Sequence, residues 1–385
     1  MRSTVLAATP QPPPQPPQRT ARRRRGRRTV TATLTALALA VLAGCSPGGS
    51  ATTDGRATTD GSATTDGSAT TDGSATAGGT GIVPSGPTGT GAASPGPASS
   101  GGAGPADVYL SLGDSYGAGY RPLPQGGFGT TRDGFAYRLT AALADAGNPV
   151  ELVNLACSGA TTQDMRSSNG CDPNLLGPGA PRYSTPQLAA ALELIRQRPG
   201  AVKLITLVIG GNDFQPCFTG AVSAMGTASS ATAVPTDVEA TAQRCLDEKL
   251  AAMSTNLADI VGQLRAAAGP DVTIVGLTYP DVFLGVYPSG NRAVATASIS
   301  VFRDQINPRL QRAYAAADAR FVDLTAAFGG YQPMGNTQPV EGIGTLPVPV
   351  ARICTLTFAC SQQDVHPQPA GHQLIADQIQ QALAG

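Results

Sequence analysis

Five short runs rich in β-branched and aliphatic residues, at 108–112, 150–155, 202–209, 272–277 and 320–324, alternate with stretches that carry helical apolar spacing, at 135–146, 186–198, 237–268, 292–317 and 369–383. Strands buried on both faces read as continuous apolar runs, because neither side alternates with water. Parallel neighbours need a crossover, and right-handed crossovers place the helices on the two faces of the sheet. The alternation therefore predicts one α/β domain over 106–385, with a parallel sheet covered by helices on both faces. Local signals add detail. Thr185 precedes Pro186 as the expected first helical residue, Thr236 with Glu239 reads as a capping box, and Pro308 is expected to kink or split the fourth helix. Sheets of this kind bind ligands at the carboxyl ends of their strands. Chemistry is expected in the loops after Leu112, Leu155, Ile209 and Leu277, and in the long irregular stretch 328–365.

The first 105 residues hold almost no core-forming material. Arg22, Arg23, Arg24, Arg25, Arg27 and Arg28 stand directly before an apolar run at 30–43, too short to span a bilayer as a helix, and that order reads as a secretory signal over 1–44. The Sec and twin-arginine routes both stay open. Leu42-Ala43-Gly44-Cys45 resembles a bacterial lipobox, which implies cleavage before Cys45, lipid on its thiol and a membrane anchor at the outer face; ordinary signal cleavage with secretion is the alternative. Residues 51–74 are four copies of a six-residue Ala-Thr-Thr-Asp-Gly-Ser unit, with Arg56 in place of the first serine. These units have no aliphatic residue to bury, so 45–105 reads as a tether rather than a solenoid, with a mean reach of about 45 Å for about sixty residues.

The formal charge is zero, with 26 basic and 26 acidic residues, but 106–385 carries 17 basic residues against 22 acidic ones. A net of about −5 gives that part no electrostatic footprint for nucleic acid. In an oxidising compartment Cys157, Cys171, Cys217, Cys245, Cys354 and Cys360 read as three disulfides. Fifteen pairings are possible, of which pairing neighbours, with separations of 14, 28 and 6 residues, needs no long crossing connection. Zinc is disfavoured by the lack of a C-x-x-C pair and by the presence of only two histidines.

The first strand ends in Gly113-Asp114-Ser115-Tyr116. A serine hydroxyl needs a base to become a nucleophile, and His366, in Asp364-Val365-His366-Pro367 before the last helix, is the leading candidate. Two more strand ends are distinctive: Ala156-Cys157-Ser158-Gly159-Ala160-Thr161-Thr162 and Gly210-Gly211-Asn212-Asp213. Together these blocks resemble the GDSL esterases and lipases, the SGNH hydrolases, from Asp107 to the C-terminus, and most nearly their secreted actinobacterial members. The resemblance implies a flavodoxin-like three-layer α/β/α sandwich with a parallel five-stranded sheet, and a serine esterase acting on carboxylic esters, with the four family positions at Ser115, Gly159, Asn212 and His366. Ser115 would attack, His366 would be the base, and the backbone N–H groups of Ser115 and Gly159 with the Asn212 amide would form the oxyanion hole. No metal or organic cofactor is implied, the substrate is a small-molecule or lipid ester, and a monomer is the default.

One position departs from the family pattern. The family acid commonly stands three residues before the histidine, where this chain has Gln363, and Asp364 is only two before. Either Asp364 orients His366, or a main-chain carbonyl near Gln363 does so in a Ser-His dyad. His372 reads as structural or solvent-facing, Asp114 and Asp213 as acids that brace loops, and a Cys157–Cys171 bridge would stiffen the oxyanion loop. Gly113-x-Ser115-x-Gly117 also fits the elbow of α/β-hydrolases, but its place after the first strand argues against that fold. Acyl transfer, carbohydrate deacetylation on cell-wall glycan and a non-catalytic wall-tethered module are the competing functions. The stretches 214–235 and 329–365 are expected to shape an acyl pocket for a neutral ester.

Overall fold

The computed structural model of the chain describes residues 106–217, 236–289 and 292–385. The leader, Cys45 and the hexad tether lie outside the described residues, as does most of the 214–235 stretch.

Strands β1 (Val108–Gly113), β2 (Glu151–Asn154), β3 (Val202–Val208), β4 (Thr273–Leu277) and β5 (Arg320–Val322) form one sheet in the order β2-β1-β3-β4-β5, and every pairing is parallel. This is the flavodoxin-like order, with its switch point between β1 and β3. β1 is buried along its whole length. Its register, Leu110 opposite Val153 on one side and Ile205 on the other, holds the carboxyl ends of β1, β2 and β3 together.

Helices α1 (Phe135–Asp145) and α5 (Pro369–Ala384) pack on each other, while α2 (Gln187–Gln197), α3 (Thr236–Ala268) and α4 (Asn307–Ala315) form a second contiguous group. Right-handed crossovers put the two groups on opposite faces, which makes the three layers. The seam of α3 that includes Leu250, Met253, Leu257, Ile260, Val261 and Leu264 is buried at the helical period.

The structure corrects several local expectations. α2 starts at Gln187 with Pro186 as its N-cap, one residue later than the Thr185 signal implied, and no side chain caps it. α3 already includes Thr236, and the residue ahead of it lies outside the described residues. The 292–317 pattern is interrupted: Arg292–Val301 is α-helical, Phe302–Ile306 is a π-helical turn, and α4 resumes with Pro308 in its first turn. Proline lacks the N–H that would continue the ladder, and a wider turn absorbs the loss. The stretch 328–365 is not irregular throughout, since it contains the antiparallel pair Thr337–Val340 and Gly344–Pro347 and the helix Val348–Leu356.

Candidate active site

The end of β1 is shaped by a glycine that has no substitute. Gly113 has φ +128°, and a Cβ there would stand 1.9 Å from the Val208 carbonyl oxygen. The side-chain amide of Gln187 clamps it, accepting from Gly113 N at 2.8 Å and donating to Gly113 O at 3.0 Å. The chain then turns into the short helix Ser115–Ala118, whose N-cap is Asp114, with Oδ1 accepting from Tyr116 N at 3.0 Å. Ser115 is thus the first helical residue and not the cap. A backbone N–H at that position has no intrahelical acceptor.

His366 is 1% exposed. Asp364 Oδ1 accepts two bonds from it, one from the backbone N–H and one at Nδ1, each 2.9 Å. Gln363, just ahead of Asp364, has a left-handed φ of +55°, and the carboxylate after this turn reaches both the backbone N–H and the ring edge of His366. Among the described residues no main-chain carbonyl takes the Nδ1 position. The loop is held from both ends, by Phe358 N donating to His366 O at 3.0 Å and by Tyr116 OH donating to Val365 O at 2.7 Å. The Cys354–Cys360 bridge closes the turn ahead of it. The buried Nε2 has no hydrogen-bond partner among the described residues. Such bonds often tighten only when substrate is present.

The two remaining strand ends are tied to each other. Gly159 has φ +85°, with open space where a Cβ would stand, so backbone conformation and not crowding calls for glycine there. Asn212 Nδ2 donates to Ala160 O at 2.9 Å, which uses one amide hydrogen and leaves the second. Asp213 accepts from Thr162 N at 2.8 Å and from the Thr162 hydroxyl, and burial pushes its carboxyl up from the usual range. The disulfide Cys157–Cys171 and the bond from Ser158 N to Leu175 O brace the same loop. The third bridge joins Cys217 to Cys245.

Ser115 and Asn212 line one cavity of about 60 Å³ together with Tyr116 and Val365. Its apolar wall is Phe214, Tyr279, Pro280, Val282, Phe283 and Phe302. Gly159 does not border it. From the 329–365 stretch only Val365 does, so the wall is built largely from the segment after β4, a correction to the expectation that the 329–365 stretch would shape it. Beneath the serine, Tyr279 OH donates to Asp114 Oδ2 at 2.5 Å. Burial pushes the Asp114 carboxyl up to about 7, against the lowering effect of that bond. Tyr279 carries no local signal in the sequence beyond its place just past a strand end. His372 is fully buried and burial pushes its imidazole down to about 3, so the solvent-facing alternative fails and the residue is structural. Among the described residues no cluster of three His, Cys, Asp or Glu side chains is placed to hold a metal ion.

Residues 111–374 match the model of the GDSL-like Lipase/Acylhydrolase family. No curated protein matches the chain. Among solved structures, an acetyl xylan esterase from Geobacillus stearothermophilus aligns at 15% identity and a TM-score of 0.35, covering 72% of this chain and 94% of its own. A carbohydrate acetylesterase from Sinorhizobium meliloti aligns at 14% and 0.34, covering 71% and 99%. An aryl esterase from M. smegmatis aligns at 15% and 0.33, covering 72% and 100%.

Proposed function

This chain belongs to the GDSL-like Lipase/Acylhydrolase family, and on that premise we propose that it hydrolyses esters of uncharged carboxylic acids through an acyl-enzyme on Ser115. One observation carries the reading: the Asp364 carboxylate holds Nδ1 of a buried His366 whose Nε2 is left without a described partner. An imidazole fixed in that way presents its other nitrogen as a base.

In the proposed cycle Ser115 Oγ attacks the ester carbonyl while His366 Nε2 takes the hydroxyl proton. The carbonyl oxygen becomes negative and is held by the N–H groups of Ser115 and Gly159 and by the second amide hydrogen of Asn212. Collapse of that intermediate breaks the bond to the alcohol, which leaves with the proton from Nε2. Water then attacks the acyl-enzyme, giving its proton to Nε2, and Ser115 leaves with that proton as the acid is released. The apolar wall of Phe214, Phe283 and Phe302 favours an uncharged acyl group, because a carboxylate or phosphate there would lose its hydration without a partner. Export by the leader, with lipid on Cys45, belongs to the same reading.

Hydrolysis of p-nitrophenyl esters from acetyl to palmitoyl tests it. Turnover abolished by both Ser115→Ala and His366→Ala supports the assignment, and no turnover by the folded, oxidised protein refutes it. Membrane fractionation of Cys45→Ala tests the anchor, which predicts release of the variant from the membrane.

A further inference from the structure

Ester hydrolysis at Ser115 leaves open which alcohol the site accepts, and a structure on the other side of His366 speaks to that. The strands Tyr120–Pro122 and Phe128–Thr130 form an antiparallel pair, with Tyr120 opposite Thr130 and Phe128 opposite Pro122. Tyr120 and Phe128 are therefore diagonal neighbours on one face. Their rings stack at 6.2 Å with only 5° between planes, and the Tyr120 ring lies 5.3 Å from the His366 ring. Phe128 is 48% exposed, one of two large apolar side chains left open to solvent among the described residues. Neither ring borders the cavity lined by Ser115, Asn212 and Phe283.

The pair is also held firmly. Thr130 Oγ1 donates to Leu176 O at 2.7 Å, and Arg121 donates from Nη2 to Asp133 Oδ2 at 2.5 Å and from Nε to Thr131 Oγ1 at 3.2 Å. The braced hairpin thus carries a parallel aromatic stack in which Phe128 is open to solvent and Tyr120 is half-buried.

Resting on the hydrolase reading above, we propose that the Tyr120–Phe128 stack is the binding platform for the alcohol half of the substrate and selects esters whose alcohol carries a planar apolar ring. The chemistry places it there. His366 must hand its proton to the departing alkoxide, so the alcohol half leaves Ser115 on the imidazole side, and the Tyr120 ring adjoins that imidazole. The acyl half then takes the separate apolar cavity. Arg121, the nearest cation of the hairpin, is engaged by Asp133 and Thr131, so the platform offers ring stacking and not a charge.

The test compares phenyl acetate with trifluoroethyl acetate, which share the acyl group, for the purified protein and for Phe128→Ala and Phe128→Trp. The platform predicts that Phe128→Ala lowers kcat/KM for phenyl acetate about threefold to tenfold, the range of one lost aromatic stack. It also predicts less than about twofold change for trifluoroethyl acetate, and recovery on phenyl acetate in Phe128→Trp. Equal losses on both esters, or no loss on either, overturn the platform while leaving the hydrolase reading intact. No turnover of either ester by the folded wild-type protein overturns the hydrolase reading itself and the platform with it.

Discussion

Replacing Asp364 with asparagine separates the two ways in which His366 can be oriented. The amide of an Asp364→Asn variant would still offer an oxygen to the His366 backbone N–H, now 2.9 Å from Oδ1, so the turn set by Gln363 is retained and the variant is expected to fold. What disappears is a negative charge beside a ring that, in the proposed cycle, becomes an imidazolium in the transition state. The 2.9 Å contact at Nδ1 brings carboxylate and ring into direct contact. For charge centres about 4 Å apart at an effective dielectric of about 20, the interaction is worth about 4 kcal/mol, or about three decades in rate. The expected result is a fall in kcat/KM for p-nitrophenyl acetate of about 10³ with the melting temperature within a few degrees of wild type. A folded variant that loses less than about tenfold would refute the reasoning, and would mean that a main-chain group and not the carboxylate supports the histidine.

Asn212→Ala is expected to lose about 10² to 10³ in kcat, since the proposed cycle loses one oxyanion donor, with KM little changed; steady-state kinetics decide, and near-wild-type turnover by a folded variant would remove Asn212 from the site. Asp114 and Asp281 are both buried carboxyls pushed up to about 7, so the folded state keeps protons there that the unfolded chain has released. Stability is then greatest below about pH 4 for these groups and is lost as pH rises to about 7. Urea unfolding at pH 5 and pH 8 should show a smaller drop in Asp114→Asn than in wild type, by up to about 3 kcal/mol. Removing the Cys157–Cys171 bridge by a double serine substitution opens a loop with a separation of 14 residues. It is expected to cost about 3 kcal/mol, seen as a fall of roughly 6 to 12 °C in melting temperature, and an unchanged melting curve would contradict it.

The sheet was legible because its strands are buried on both faces and so spell themselves as unbroken apolar runs; Val108 to Leu112 needs no partner to be read. The ends of helices were less so. Thr185 signals a cap in sequence, yet the backbone does not turn helical until Gln187. Pro308 announces an interruption without saying that it takes the form of a π-helical turn. The hairpin that carries Tyr120 and Phe128 escapes the sequence altogether, because two three-residue strands, one ending in Pro122, joined through Gly126 and Gly127 leave no periodicity to detect. Of the residues proposed for the site, Ser115, Gly159, Asn212, Asp364 and His366 stand in short local motifs and are nominated directly. Tyr279 and Tyr116 are not, since each acts through a single long-range bond, to Asp114 at a separation of 165 residues and to Val365 at 249. The wall of the cavity is misplaced by the sequence for a related reason. Phe283 and Phe302 read as ordinary core residues, and only the packing of the segment after β4 turns them toward Ser115.

The central claim is that Ser115 is the nucleophile. Treating the purified protein with a fluorophosphonate and mapping the adduct by peptide mass spectrometry tests it most directly. The account predicts a single stoichiometric adduct on the peptide containing Ser115, lost in Ser115→Ala and strongly slowed in His366→Ala. Labelling at another serine, or undiminished labelling of Ser115→Ala, would contradict it.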